Sequence, residues 1–229
     1  MEDAINNFAS LSVRGLIWTL KRDINKINEK NDNYKYPKTV KQILAKRNLS
    51  SMSLDDYLYP TLRQHTPDPF TLHDMKKATN IIFKTIIENK KIGILGDYDV
   101  DGATSSALIY NYLFEINLTK TDVFIPNREK DGYGFSENAL NFFKKKKTNL
   151  VLCLDCGTND TKTVSKAHSI GIKVIIIDHH EQKEKDDIAV LINPKKKSDK
   201  SGLNYLATVG LVFLFVIALN RKLRESSFF

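Results

Sequence analysis

The chain has 229 residues, 41% hydrophobic and 27% charged, which suits a soluble globular protein of one large domain or two small ones. Its net charge of +8 is compatible with a polyanionic partner, and equally with solvated lysine runs such as KKKK at 144–147 and KKK at 195–197. Two cysteines exclude a disulfide-stapled secreted scaffold, and no second CxxC pair accompanies Cys153 and Cys156 to complete a zinc site.

The first residues, MEDAINNFASLSVRG, lack the apolar core of a signal peptide. Residues 1–90 read as a helical N-terminal arm. Val40–Arg47 and Leu54–Leu58 are short amphipathic segments, TPDPF (66–70) is a turn-rich joint, and Leu72–Asn89 has one apolar helical face. From Lys91 the rhythm changes. Apolar runs at Ile92–Leu95, Asp122–Ile125, Leu150–Leu154, Lys173–Ile177 and Ala189–Ile192 predict five strands. Between them lie helical stretches at Ala103–Phe114, after Ser136, and at Asp160–Ser169, with Leu203–Leu219 as a last helix. The apolar stretch 206–219 is too short to span a bilayer comfortably and reads as a core helix, so no membrane association is expected and the chain reads as cytoplasmic. Short apolar strands alternating with helices predict a Rossmann-like, mostly parallel sheet over 91–229, covered on both faces.

In such sheets ligands collect at the carboxyl ends of the strands. Those ends read Gly96-Asp97-Tyr98-Asp99, Pro126-Asn127-Arg128, Asp155-Cys156-Gly157-Thr158 and Asp178-His179-His180-Glu181. A parallel sheet would bring Asp97, Asp99, Asp155, Asp178, His179 and His180 to one rim. Alternate residues of an extended DxD face one side, and crowded carboxylates repel unless a cation sits among them. Carboxylates mixed with imidazoles suit Mn²⁺; mostly carboxylate and water would suit Mg²⁺. Asp101, beside Gly102, reads as a helix cap or turn residue ahead of a ligand. No GxGxxG, P-loop or GxSxG elbow competes with this site.

The motifs DYDVDGATSSALI, IPNREKDGYG, LDCGTND and IIIDHHE resemble, in order and spacing, those of the DHH phosphoesterase superfamily. SVRGLIWTL, YPTLRQHTPDPFTLHDM, LINPKK and ATVGLVFLF are similar to its RecJ branch, the single-stranded-DNA-specific exonucleases. The resemblance implies one or two Mn²⁺ or Mg²⁺ ions and hydrolysis of single-stranded DNA from its 5′ end, in repair and recombination. It implies metal ligation by Asp97, Asp99, Asp155, His179 and His180, with Asp155, His179 and His180 catalytic. His180 would serve either the metal or the scissile phosphate, and Asp178 would orient a histidine. Arg128 would contact a phosphate, and Tyr133 or Phe135 would stack bases. The basic balance would then form a groove for the DNA backbone.

Two departures from the family pattern stand out. Leu95 occupies a position where many members carry a histidine, so one ion would be weakly held or the site would run on fewer ligands. Members also continue past the last helix, with a further aspartate and a second domain, whereas this chain stops at KLRESSFF. The expectation is therefore an N-terminal catalytic part, whose C-terminal part could be a separate chain. Two alternatives stay open. One is a DHH phosphoesterase acting on oligoribonucleotides or small phosphate esters. The other is an inactive remnant or subunit that only binds metal or DNA.

Overall fold

The computed structural model describes residues 13–17, 36–45, 47, 54–118, 120–183 and 189–228. The chain divides into two compact units, Met1–Thr66 and Pro67–Phe229. In the first unit lie α1 (Lys38–Ala45), α2 (Leu54–Leu58) and α3 (Leu62–His65). Helix α2 coincides with its expected amphipathic segment, α1 overlaps the one expected at Val40–Arg47 but starts two residues earlier and ends at Ala45, and Thr61 caps α3 by accepting from the Gln64 amide.

The second unit opens with a 3-10 turn at Pro69–Thr71 and α4 (Met75–Ile87). It continues through β1 (Ile92–Gly96), α5 (Val100–Glu115), β2 (Thr121–Phe124) and α6 (Glu137–Lys145). Then follow β3 (Leu150–Leu154), α7 (Thr161–Ser169), β4 (Lys173–Ile177), β5 (Val190–Ile192) and α8 (Thr208–Glu225). The five strands form one sheet in the order β2-β1-β3-β4-β5, and every neighbouring pair is parallel.

Strand alternation divides the core in two. Ile92, Ile94, Leu150, Leu152, Leu154, Ile175 and Ile177 pack with α4, α5 and α8. Leu95, Val151, Cys153, Val174 and Ile176 pack with α6 and α7 on the other face. This is why the strands are apolar at nearly every position: neither face meets water. Cys153 and Cys156 are free and buried, as small hydrophobic residues should be. Leu95 is likewise buried in the second cluster.

Three expectations are corrected. The last helix begins at Thr208 rather than Leu203, because Leu203 is buried within a turn closed by the Leu206 amide on its carbonyl. It runs on to Glu225 because Leu219 and Leu223 continue its buried face. The helix expected from Leu72 starts at Met75, since Leu72 closes the 3-10 turn. Phe135, expected to stack bases, is 2% exposed and packs in the second cluster. Helix α4, assigned from sequence to the N-terminal arm, buries Met75, Ala78, Ile82 and Ile86 in the first cluster. No helix among the described residues is long and apolar enough to cross a membrane.

The topology already marks a crevice. The helix after β1 lies on one face and the helix after β3 on the other, although β1 and β3 are neighbours. Parallel sheets open to ligands at such a switch, outside the carboxyl ends of the strands.

Candidate metal centre

Asp97 follows β1 directly and is 4% exposed. Its Oδ1 is buried and has no hydrogen-bond partner among the described residues. Burial raises its carboxyl above the ordinary range, and Asp99 and Asp178 add to the effect. An unpartnered buried carboxylate oxygen is costly unless a cation meets it. Asp99 caps α5, accepting from the Gly102 amide at 3.0 Å. Gly102 is required there because a Cβ would lie 2.5 Å from the Asp97 backbone nitrogen. That close approach seats the helix on the end of β1.

Asp155 ends β3 with φ +62° in the left-handed region, a conformation uncommon for a residue with a side chain and often tied to function. Its amide donates to the Ile177 carbonyl, and its buried Oδ1 accepts from the Thr208 hydroxyl at 2.8 Å. Burial pushes its carboxyl up to about 7, and Asp101, Asp99 and Asp178 reinforce the shift.

Ligand atoms of Asp97, Asp99 and Asp155 lie within 4.8 Å of one another, and so do those of Asp155, His179 and His180. Asp155 belongs to both groups. Its Oδ1 is 3.5 Å from His179 Nε2 and 3.9 Å from His180 Nδ1. The first group offers only oxygen, being three carboxylates, and the buried leucine at 95 adds no ligand. The second mixes imidazole and carboxylate. Both donor sets suit Mn²⁺ or Mg²⁺, the second favouring Mn²⁺.

The supports of this centre are equally specific. Asp178 Oδ1 accepts from the amides of His179 (2.7 Å) and His180 (3.2 Å) and pairs with His180 Nδ1 at 2.7 Å. Its Oδ2 accepts from the Thr158 amide. So Asp178 organises the histidine turn, and its bond to Nδ1 leaves Nε2 of His180 for an external ligand. Burial disfavours protonation of His180, but the Asp178 bond and the nearby carboxylates outweigh it and raise its pKa. Tyr133 donates its hydroxyl to the Asp155 carbonyl at 2.9 Å, with the same oxygen 3.3 Å from His180 Nδ1. Its ring is half exposed and meets His180 edge-on. Arg128 is exposed and lies over the Tyr98 ring at 5.6 Å, beside the DxD turn.

Asp101 departs from expectation. It does not cap its own helix, which Asp99 does. It accepts from the Thr208 and Val209 amides at 2.7 and 2.8 Å and so caps α8, with His179 Nε2 3.7 Å away. Three positioning residues escaped the sequence reading. Thr208 holds Asp155. Buried Asn193 donates to the His180 carbonyl (2.8 Å) and the Thr158 hydroxyl (3.2 Å). Asn159 donates to the Glu181 carbonyl and accepts from the Lys183 amide. The only signal for Asn193 was its place after β5, where Asn-Pro reads as a strand stop.

Basic residues near this rim are engaged with acids. Here Lys195 pairs with Glu181 and Lys196 with Asp74. The 144–147 run precedes β3 and lies at the opposite edge of the sheet.

Residues 91–227 match the DHH family, N-terminal domain. Over 210 residues the chain is 31% identical to the single-stranded-DNA-specific exonuclease RecJ of Bacillus subtilis (strain 168), covering 91% of this chain and 27% of that protein. It is 33% identical over 159 residues to the RecJ exonuclease of Escherichia coli (strain K12), covering 69% of this chain and 28% of that protein. The chain thus spans little more than a quarter of the length of these curated relatives. Among solved structures, exonuclease RecJ bound to manganese superposes with a TM-score of 0.61 at 26% identity, over 66% of this chain and 38% of that one.

Proposed function

The chain belongs to the DHH family, and from that premise we propose that it is the N-terminal catalytic part of a divalent-metal-dependent phosphodiesterase, a RecJ-like 5′-to-3′ exonuclease on single-stranded DNA in repair and recombination. The observation that carries this reading is Asp155, one buried carboxylate common to two adjacent ligand groups. Asp97, Asp99 and Asp155 would hold one ion, and Asp155, His179 and His180 the other. A bound Mn²⁺ or Mg²⁺ would lower the pKa of water and offset charge developing on the phosphoryl group. Asp178 keeps His180 Nδ1 occupied and directs Nε2 outward, toward the ion or the scissile phosphate. Arg128, exposed beside the DxD turn, would contact a backbone phosphate, and the half-exposed Tyr133 ring would stack a base. The names of its relatives support the substrate class, and the manganese in a related structure supports the ion. A cytoplasmic location fits that role.

The test is to incubate the purified chain with Mn²⁺ and single-stranded DNA labelled at either end, with a bis-phosphorylated nucleoside as control. Release of nucleotides from the 5′ end is expected, and Asp155→Ala should abolish it. Hydrolysis of the nucleoside alone would sink the exonuclease reading. DNA binding without any cleavage would favour a chain that only binds metal or DNA.

A further inference from the structure

The lysines that precede the strands are gathered by the fold into one row. Lys120 O accepts from the Ile92 amide, the Lys91 amide donates to Asn149 Oδ1, and the Lys173 amide donates to the Asn149 carbonyl. These bonds set Lys120 and Lys91 on neighbouring strands at roughly 5 Å along the amino edge of the sheet, with Lys173 two strands beyond Lys91, across Asn149, at roughly 10 Å. Lys144, Lys145, Lys146 and Lys147 enter the same edge ahead of β3. Asp122 takes up Lys91 and Lys146, and Glu88 takes up Lys84 and Lys90. Lys120, Lys144, Lys145, Lys147 and Lys173 are exposed and have no ion-pair partner among the described residues.

Helix α5 links this edge to the metal centre. It starts at the Asp99 cap and ends five residues before Lys120, spanning roughly 24 Å. Its outer face exposes Val100, Ala103, Ala107, Tyr110 and Phe114 at three- and four-residue steps, with Tyr110 41% and Phe114 61% exposed. An aromatic-bearing stripe between carboxylates at one end and unpaired cations at the other fits a polymer that is polyanionic and has flat apolar bases.

We propose that single-stranded nucleic acid engaged at the metal centre continues along the exposed face of α5 and lays its phosphates on the lysines of the amino edge. Tyr110 and Phe114 stack bases, and the lysines release counterions. This deepens the exonuclease reading and rests on it for the position of the strand's end. It places the grip on the rest of the strand about one sheet-length away from the site.

The test is fluorescence anisotropy of the whole chain with a labelled 20-nucleotide oligo-dT in EDTA, so that no cleavage is needed. Lys120→Gln/Lys145→Gln/Lys173→Gln should flatten the slope of log K against log salt by roughly 2, at about 0.7 per cation lost, and weaken low-salt binding at least tenfold. Tyr110→Ala/Phe114→Ala should weaken the single strand tenfold or more while leaving the salt slope unchanged. Both variants should keep the wild-type Mn²⁺ titration and melting temperature, because the altered side chains are exposed. Unchanged affinity and slope in the lysine variant would overturn the proposal. So would duplex DNA bound as tightly as single strand and insensitive to the aromatic variant. A chain that binds as expected but cleaves nothing would instead sink the exonuclease reading and leave this surface standing.

Discussion

Asp155 carries opposing demands. Burial and three neighbouring aspartates favour its protonated form, and a pKa of about 7 follows in the metal-free chain. A carboxyl whose folded pKa is raised contributes stability that is fully present below its ordinary value of 3.8 and is lost as pH rises through about 7. Metal must displace that proton. Mn²⁺ affinity should therefore fall by about tenfold or more per pH unit well below 7, with more than one proton released per chain at pH 6, because His180, whose pKa is also raised, must lose its proton to act as a ligand. Calorimetric titration at pH 6 and pH 8 in buffers of different ionisation enthalpy reads both quantities; a pH-independent affinity without proton release would refute the assignment. The Thr208 hydroxyl bond works against the shift. Thr208→Val should raise the Asp155 pKa further and weaken Mn²⁺ binding several-fold near neutrality, whereas Thr208→Ser should restore it. If Val and Ser behave alike, the hydroxyl does not position Asp155. The clustering of the aspartates and histidines was legible in the sequence because their residue types stand out at the ends of the strands. Thr208 and Asn193 were not, because their work depends on partners 53 and 13 residues away.

At the scale of elements, legibility followed burial. Strands with two covered faces are apolar throughout, so β1, β3 and β4 stood out within a residue of their ends. Helix ends were harder, because what sets them is tertiary. Nothing local marks Thr208 as the start of α8; the carboxylate that caps it sits on another helix, 107 residues earlier. This explains how three close aspartates divide their work. Asp97 and Asp99 face the metal groups, while Asp101 offsets the N-terminal amides of α8. Asp101→Asn keeps a capping side chain but removes its charge; Asp101→Ala removes the cap as well. The Ala variant should cost about 1 kcal/mol, lowering the melting temperature by roughly 2–4 °C, with Mn²⁺ affinity changed less than threefold. The Asn variant should lie between it and wild type. A tenfold or larger loss of Mn²⁺ affinity with unchanged melting would instead make Asp101 a ligand.

The whole unit is electrically polar along its strands. Asp97, Asp99, Asp101, Asp155 and Asp178 crowd the carboxyl edge, and the unpaired lysines crowd the amino edge. The total of +8 conceals this arrangement. It could have been read from the sequence, since a residue just before a strand in a parallel sheet lies at the amino edge and one just after it lies at the other. The two poles respond differently to solutes. Salt screens the exposed lysines over a Debye length of about 8 Å at physiological ionic strength. The acidic rim is buried at Asp97, Asp155 and Asp178 and repels itself until divalent cations arrive, so folding and metal binding are coupled there. With Mn²⁺ at about 100 times its dissociation constant, linkage contributes about 2.7 kcal/mol, or roughly 5–10 °C in melting temperature for a unit of this size. Differential scanning calorimetry in EDTA and in Mn²⁺, at fixed ionic strength and pH 8, measures the shift. Asp155→Asn should remove most of it. It should also raise the melting temperature in EDTA, because it relieves the repulsion that wild type bears without metal. A shift that survives Asp155→Asn would place the bound ion elsewhere on the chain.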